Sequence, residues 1–259
     1  MNFLKLQSNI SLNCMSSFPS YNQISIINKS SIVSDIHGSC MATALNALLP
    51  EFCNDWKIPL FTVIYVSKGL TEIPPNTYII YLMDISDVDE ALAYHDIRSD
   101  IPYGKVFAKT IIDNGGVLLY EPTLKQSTVA QSLSHEVFEL IIDPRCNGWW
   151  MDRTTGILYA SEVCDPVQSN IVVVSLKTGI HIGMSDWILP SWQDIQNTSG
   201  PYNHLNTLTA PFQIKNGYAM QIKNSKLTTV YGDIEDPVTN SHSQRGERSA
   251  RRLNLVINQ

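Results

Sequence analysis

Apolar positions along the chain fall into two kinds of run. Around residues 40–56, the stretch MATALNALLPEFCNDW carries the helix formers Ala, Leu and Met and predicts an amphipathic helix, with Pro50 as its kink or break. Residues 59–66 (PLFTVIYV) and 77–84 (TYIIYLMD) are β-branched and aromatic instead. Bounded by Lys-Gly and Pro-Pro, they predict buried central strands. Further strands are expected from ALAYHDI (91–97) and from KVFAKTII (105–112), which is closed by Asn114, Gly115 and Gly116. The segment STVAQSLSHEVFELIIDP opens on Ser and Thr, has no internal Gly or Pro and stops at Asp143-Pro144, so it predicts a helix over about 127–143. Beyond it, GILYASEV, IVVVSL, IHIGMSDWIL, GYAMQIK and LTTVYGD read as short strands punctuated by Gly, Pro and Asn.

These elements predict an α+β protein: an arm or a pair of weak strands over the Ser- and Asn-rich residues 1–36, an α/β portion over 37–166, a β-rich portion over 167–235, and a basic tail over 236–259. With 44% hydrophobic and 16% charged residues among 259, the chain holds enough apolar material for a sizeable core and lacks the composition of a disordered one. No apolar run approaches the roughly 18 to 20 residues that cross a bilayer. The net charge of −6 offers no general field for phosphates, so any polyanion contact must be local. Arg245, Arg248, Arg251 and Arg252 provide such a place: the tail reads as an arm for an acidic partner or nucleic acid, or as a solvated terminus. Five scattered cysteines without a CxxC pair indicate reduced thiols. The N-terminal residues lack the unbroken apolar segment of a signal peptide, so a cytoplasmic or virion-associated chain is expected.

On the expected helix, Thr128, Ser132, His135, Glu136, Glu139 and Asp143 fall in one stripe about 100° wide, and the rest of the surface is mostly apolar. Such a stripe is ordinarily a solvated face. This one contains no Lys or Arg, the usual companions of Glu on such a face, and His135 and Glu139 project side by side as i and i+4 residues able to grip one cation. Glu136, on the flank, is placed to reach a bound water.

The stretch His135-Glu136-Val137-Phe138-Glu139 resembles the HExxH motif of the zincin metallopeptidases, with Glu139 where that family has its second histidine. The resemblance extends to Glu162 and Asp165 in SEVCDP, some twenty residues downstream, where a thermolysin-like enzyme has a third ligand and a supporting Asp. It implies a zincin-like mixed sheet ahead of the active-site helix, with Lys105–Ile112 as the substrate-binding edge strand. It further implies a zinc ion held by His135, Glu139 and Glu162, with Glu136 as general base. Asp165 or Asp143 would support the imidazole. The two carboxylates would also admit Mn or Ca. The implied activity is peptide hydrolysis by a metal-activated water. The combination HEVxE, EVCDP and LPxW (to Trp192) is similar also to a group of bacteriophage and bacterial proteins of unassigned activity, which implies the alternative of an inactive zincin-like assembly component, part of a virion, contacting other virion proteins.

The other histidines, His37, His95, His181, His204 and His242, are isolated in sequence, and each reads first as an ordinary core or surface residue. His95 stands out among them, since its strand precedes the expected edge and could supply a ligand or an oxyanion donor. Cys146 and Cys164 flank the site without a visible Cys-His pairing. The tryptophans Trp149, Trp150, Trp187 and Trp192 read first as core and otherwise as the lining of a protein contact.

Overall fold

The structure, a computed structural model, describes residues 21–70, 72–88, 91–123 and 126–233. Within it, QISIIN forms β1 (Gln23–Asn28), which pairs in parallel with β2 (Thr62–Val66) on one side and β3 (Tyr78–Met83) on the other. β5 (Ile101–Phe107) adds in parallel to β3, and β4 (Ala93–Arg98) finishes the sheet antiparallel to β5. The order is β2-β1-β3-β5-β4, a mixed sheet. Ser25 and Ile27 on one face of β1 are as buried as Ile24 and Ile26 on the other, the near-continuous burial of a strand covered on both sides.

The described part of the expected N-terminal arm is therefore a strand inside the sheet followed by the start of a helix. Ser34 caps α1 (Asp35–Trp56), its side chain accepting from the His37 amide. Pro50 sits within α1 and does not end it. One turn earlier, the Asn46 side chain bonds both backbone groups of Val63 at 2.8 Å and so clamps the helix to β2.

The expectation that Lys105–Ile112 is an edge strand is corrected. β5 is paired on both sides and stops at Phe107, after which Ala108–Asp113 is a short helix, α2. The antiparallel edge is β4, and the other edge is β2.

The second long helix is α3 (Val129–Ile142), capped by Thr128, whose hydroxyl accepts from the Gln131 amide and donates to the Gly183 carbonyl. That carbonyl belongs to β9 (His181–Ser185), which pairs with β8 (Ile171–Ser175). A second anchor, Ser134 Oγ, accepts from the Ser185 amide at 2.8 Å. α3 thus lies between the main sheet, α1 and the β8–β9 hairpin.

A four-stranded sheet, β11-β10-β7-β6, joins β6 (Trp149–Asp152) and β7 (Ile157–Ala160) to β10 (Tyr218–Lys223) and β11 (Lys226–Tyr231). The expected portions 37–166 and 167–235 consequently share this sheet, and one apolar core runs through both from Ile24 to Leu208. Trp187 and Trp192 are wholly buried in it. The basic tail 236–259 lies outside the described residues.

At the junction of the layers, Phe52 of α1 stacks on Phe138 of α3 with centroids 4.5 Å apart, and the Trp187 ring packs against both. Truncating Phe52 leaves a cavity that three elements cannot close together. Phe52→Ala is expected to lower the free energy of unfolding by about 3 to 5 kcal/mol. The check is urea denaturation followed by circular dichroism, where the midpoint should fall with an unchanged slope.

Candidate metal centre

α3 has no solvated face in its middle turns. His135, Glu136 and Glu139 are buried together with Val137, Phe138 and Leu140, and Glu139 is 0% exposed. The polar stripe meets polar side chains from other elements. His135 Nε2 lies 3.1 Å from Glu139 Oε2, one turn along the helix, and 3.2 Å from Asp165 Oδ1. Asp165 begins a 3-10 turn (Asp165–Val167) after the loop that follows β7. Tyr218 at the start of β10 donates its hydroxyl to Asp165 Oδ1. That approach needs Gly217, because a Cβ there would stand 2.0 Å from the Asp165 carbonyl oxygen.

The other wall is β4. His95, 0% exposed, sets Nδ1 3.1 Å from Glu136 Oε2 and 3.9 Å from Glu139 Oε2, while its Nε2 is 3.1 Å from the Asp143 carbonyl oxygen and 4.0 Å from Glu162 Oε2. The structure therefore divides the expected residues between two imidazoles. His135, Glu139 and Asp165 converge, with Asp165 beside the His135 imidazole, where it was expected as a supporting residue. Glu162 lies toward His95. The Asp143 carboxylate accepts from the Asn147 and Gly148 amides, and it is the Asp143 carbonyl that supports an imidazole, that of His95.

Among the described residues, two sets of ligand-type atoms each fit within 4.8 Å: one from His135, Glu139 and Cys164, the other from His95, Glu136 and Glu139. Cys164 belongs to the first by proximity. Its sulfur faces the His135 carbonyl at 3.9 Å, its amide donates to Glu139 Oε1, and burial first, then the Glu139 charge, push the thiol well above its ordinary pKa. It packs as a thiol. The donors left, imidazole nitrogen and carboxylate oxygen, suit zinc and also harder cations. Glu136, Glu139, Glu162 and Asp165, each 3% exposed or less, crowd four carboxyl groups around the two rings. Such crowding is stable when protons or a cation offset the charge.

Comparison of the chain with protein-family models, curated proteins and solved structures found no match.

His95 is the residue that sequence reasoning undervalued. Its burial depends on β4 lying over α3, and only the alternation of a short strand hinted at which way it points. Tyr218 carried no signal, being brought in by the pairing of β10 with β7.

Burial works against a charged His135, but the Glu139 carboxylate and the bonds from Asp165 and Glu139 outweigh it and hold the ring well above the ordinary histidine value of 6.5. A group whose pKa is raised on folding contributes stability in full below its unfolded value and loses it as pH rises through its folded value. Protein stripped of metal is therefore expected to lose melting temperature as pH rises above about 6.5. In His135→Ala this dependence should flatten, as read by thermal melts across a pH series.

Proposed function

We propose that the protein is a metal-dependent hydrolase, with peptides as its substrate class and zinc as its first candidate cofactor. The observation that carries this reading is the convergence of His135 and Glu139, one helical turn apart, with Asp165 on the same ring nitrogen inside a buried, carboxylate-rich site. His135, Glu139 and Asp165 would hold the cation, with Glu162 in reserve on the His95 side. A divalent cation supplies Lewis acidity there, polarising a carbonyl and making water a stronger acid. Glu136 is the proton acceptor. His95, bonded to Glu136 Oε2 and anchored on the Asp143 carbonyl, orients that carboxylate. The zincin-like reading of the fold belongs to this proposal. It is supported by the order of the chain: a mixed sheet comes first, then the helix with HEVFE, and the antiparallel edge strand lies beside that helix.

A second reading has its own observation. His135 is only 7% exposed and His95 is fully buried, so the cluster is closed and binds β4, α3, the 162–165 loop and β10 to one another. A site used as a polar staple in a non-catalytic assembly component, for example of a virion, would look the same. Among the described residues no helix is long and apolar enough to cross a membrane.

Metal analysis of protein purified without chelator separates the two. The hydrolase reading expects at least one zinc per chain, fewer by one in folded His135→Ala, and peptide hydrolysis that Glu136→Gln abolishes while the zinc at His135 stays. A folded protein that carries no metal and takes none up overturns it.

A further inference from the structure

Glu139 belongs to both sets of ligand-type atoms, and this sharing carries an inference that rests on the hydrolase reading. We propose that His95, Glu136 and Glu139 form a second divalent-cation site, which shares Glu139 with the site at His135 and acts as an inhibitory one.

The first support is the state of the His95 ring. Nε2 stands 3.1 Å from a backbone carbonyl oxygen, which only accepts, so this nitrogen keeps its hydrogen when a cation takes the place of the hydrogen between Nδ1 and Glu136. Metal-bound histidines use their remote nitrogen in the same way, donating to a carbonyl or carboxylate that fixes the ring. Nδ1 is then the nitrogen that faces the two carboxylates, at 3.1 Å to Glu136 and 3.9 Å to Glu139. Ligand atoms bound at about 2.1 Å to one cation stand roughly 3 to 4 Å from each other. The two distances from Nδ1 already have that spacing, and all three ligand atoms lie within 4.8 Å of one another.

The second support is burial: His95 and Glu139 are 0% and Glu136 3% exposed, so a cation held by these three side chains is shielded from water. The third is rigidity of origin. His95 comes from the sheet edge and the two glutamates from α3, and the sharing residue is fixed by the Cys164 amide on its other oxygen at 3.3 Å.

The consequence falls on Glu136. As a ligand it no longer accepts a proton, so cation beyond the first equivalent suppresses the hydrolysis that the first supports. Carboxylate and imidazole donors of this kind take zinc or manganese.

The test is zinc stoichiometry by equilibrium dialysis and mass spectrometry on the full chain, with folding verified by circular dichroism. The expected result is two zinc ions per chain at saturation, falling to one in His95→Ala and likewise in Glu136→Gln, which keeps the shape of the side chain. His135→Ala should retain no more than one. Saturation at one ion in the wild type overturns the second site and leaves the hydrolase reading standing. No zinc at any concentration overturns both. Two ions persisting in both His95→Ala and Glu136→Gln place the second ion elsewhere and also overturn the proposal. Manganese loaded to two equivalents should give the broadened spectrum of a coupled pair in electron paramagnetic resonance, and the six-line spectrum of isolated ions would count against a shared carboxylate.

Discussion

The complete burial of Glu139 governs the arrangement around it. A carboxylate out of water in the middle of a helix is costly unless donors or positive charge surround it, and three segments of the chain contribute to this. His135 does so from the same helix, the Cys164 amide from the loop after β7, and His95 from the sheet edge. Each of these groups is itself buried and must be satisfied in turn. The Asp143 carbonyl serves His95, and Asp165, held by Tyr218, serves His135. The polar cluster thereby ties four elements to one carboxylate, and the apolar contact of Phe52, Phe138 and Trp187 holds the same helix from α1 and the segment after β9. Loss of a partner from this network costs more than a surface ion pair would, because what remains is a charge that water cannot reach.

The same burial shapes the chemistry. The carboxylates around His135 favour its charged form and raise its pKa, so a cation would compete with a proton there. Cation and proton offset the same negative charge. A protein purified at low pH would therefore hold its metal less firmly than one purified at neutral pH, and the closed site would exchange it slowly. On the proposed hydrolase reading, the burial of Glu136 means that a substrate would reach it only after a local rearrangement.

Much of the helix and strand pattern was legible in the chain. The helix expected over 127–143 is α3 from Val129 to Ile142, because Thr128 caps it and nothing within it breaks it. α1 was legible except for its start and for Pro50, which the helix accommodates. β1 was legible only as an arm or a weak strand in its Ser- and Asn-rich surroundings, since its partners lie about forty and fifty-five residues away and local composition does not register them. β5 was misread as an edge running to Ile112 because AKTIID has no Gly or Pro to mark the change from strand to helix at Ala108. In the site, the placement of His135, Glu136 and Glu139 followed from helical periodicity alone. The approach of Asp165 to His135 Nε2 follows from a 3-10 turn, and the position of His95 from sheet order, neither of which leaves a local trace.

The central claim is that a cation belongs with His135 and Glu139 in this cluster. The most direct measurement is X-ray absorption at the zinc edge on protein loaded with one equivalent. The account predicts a first shell of nitrogen and oxygen only, at about 2.0 to 2.1 Å, with the outer scattering of imidazole and no sulfur. A sulfur scatterer near roughly 2.3 Å would make Cys164 a ligand, and a shell without imidazole would put the ion outside the cluster. Either result would contradict the claim.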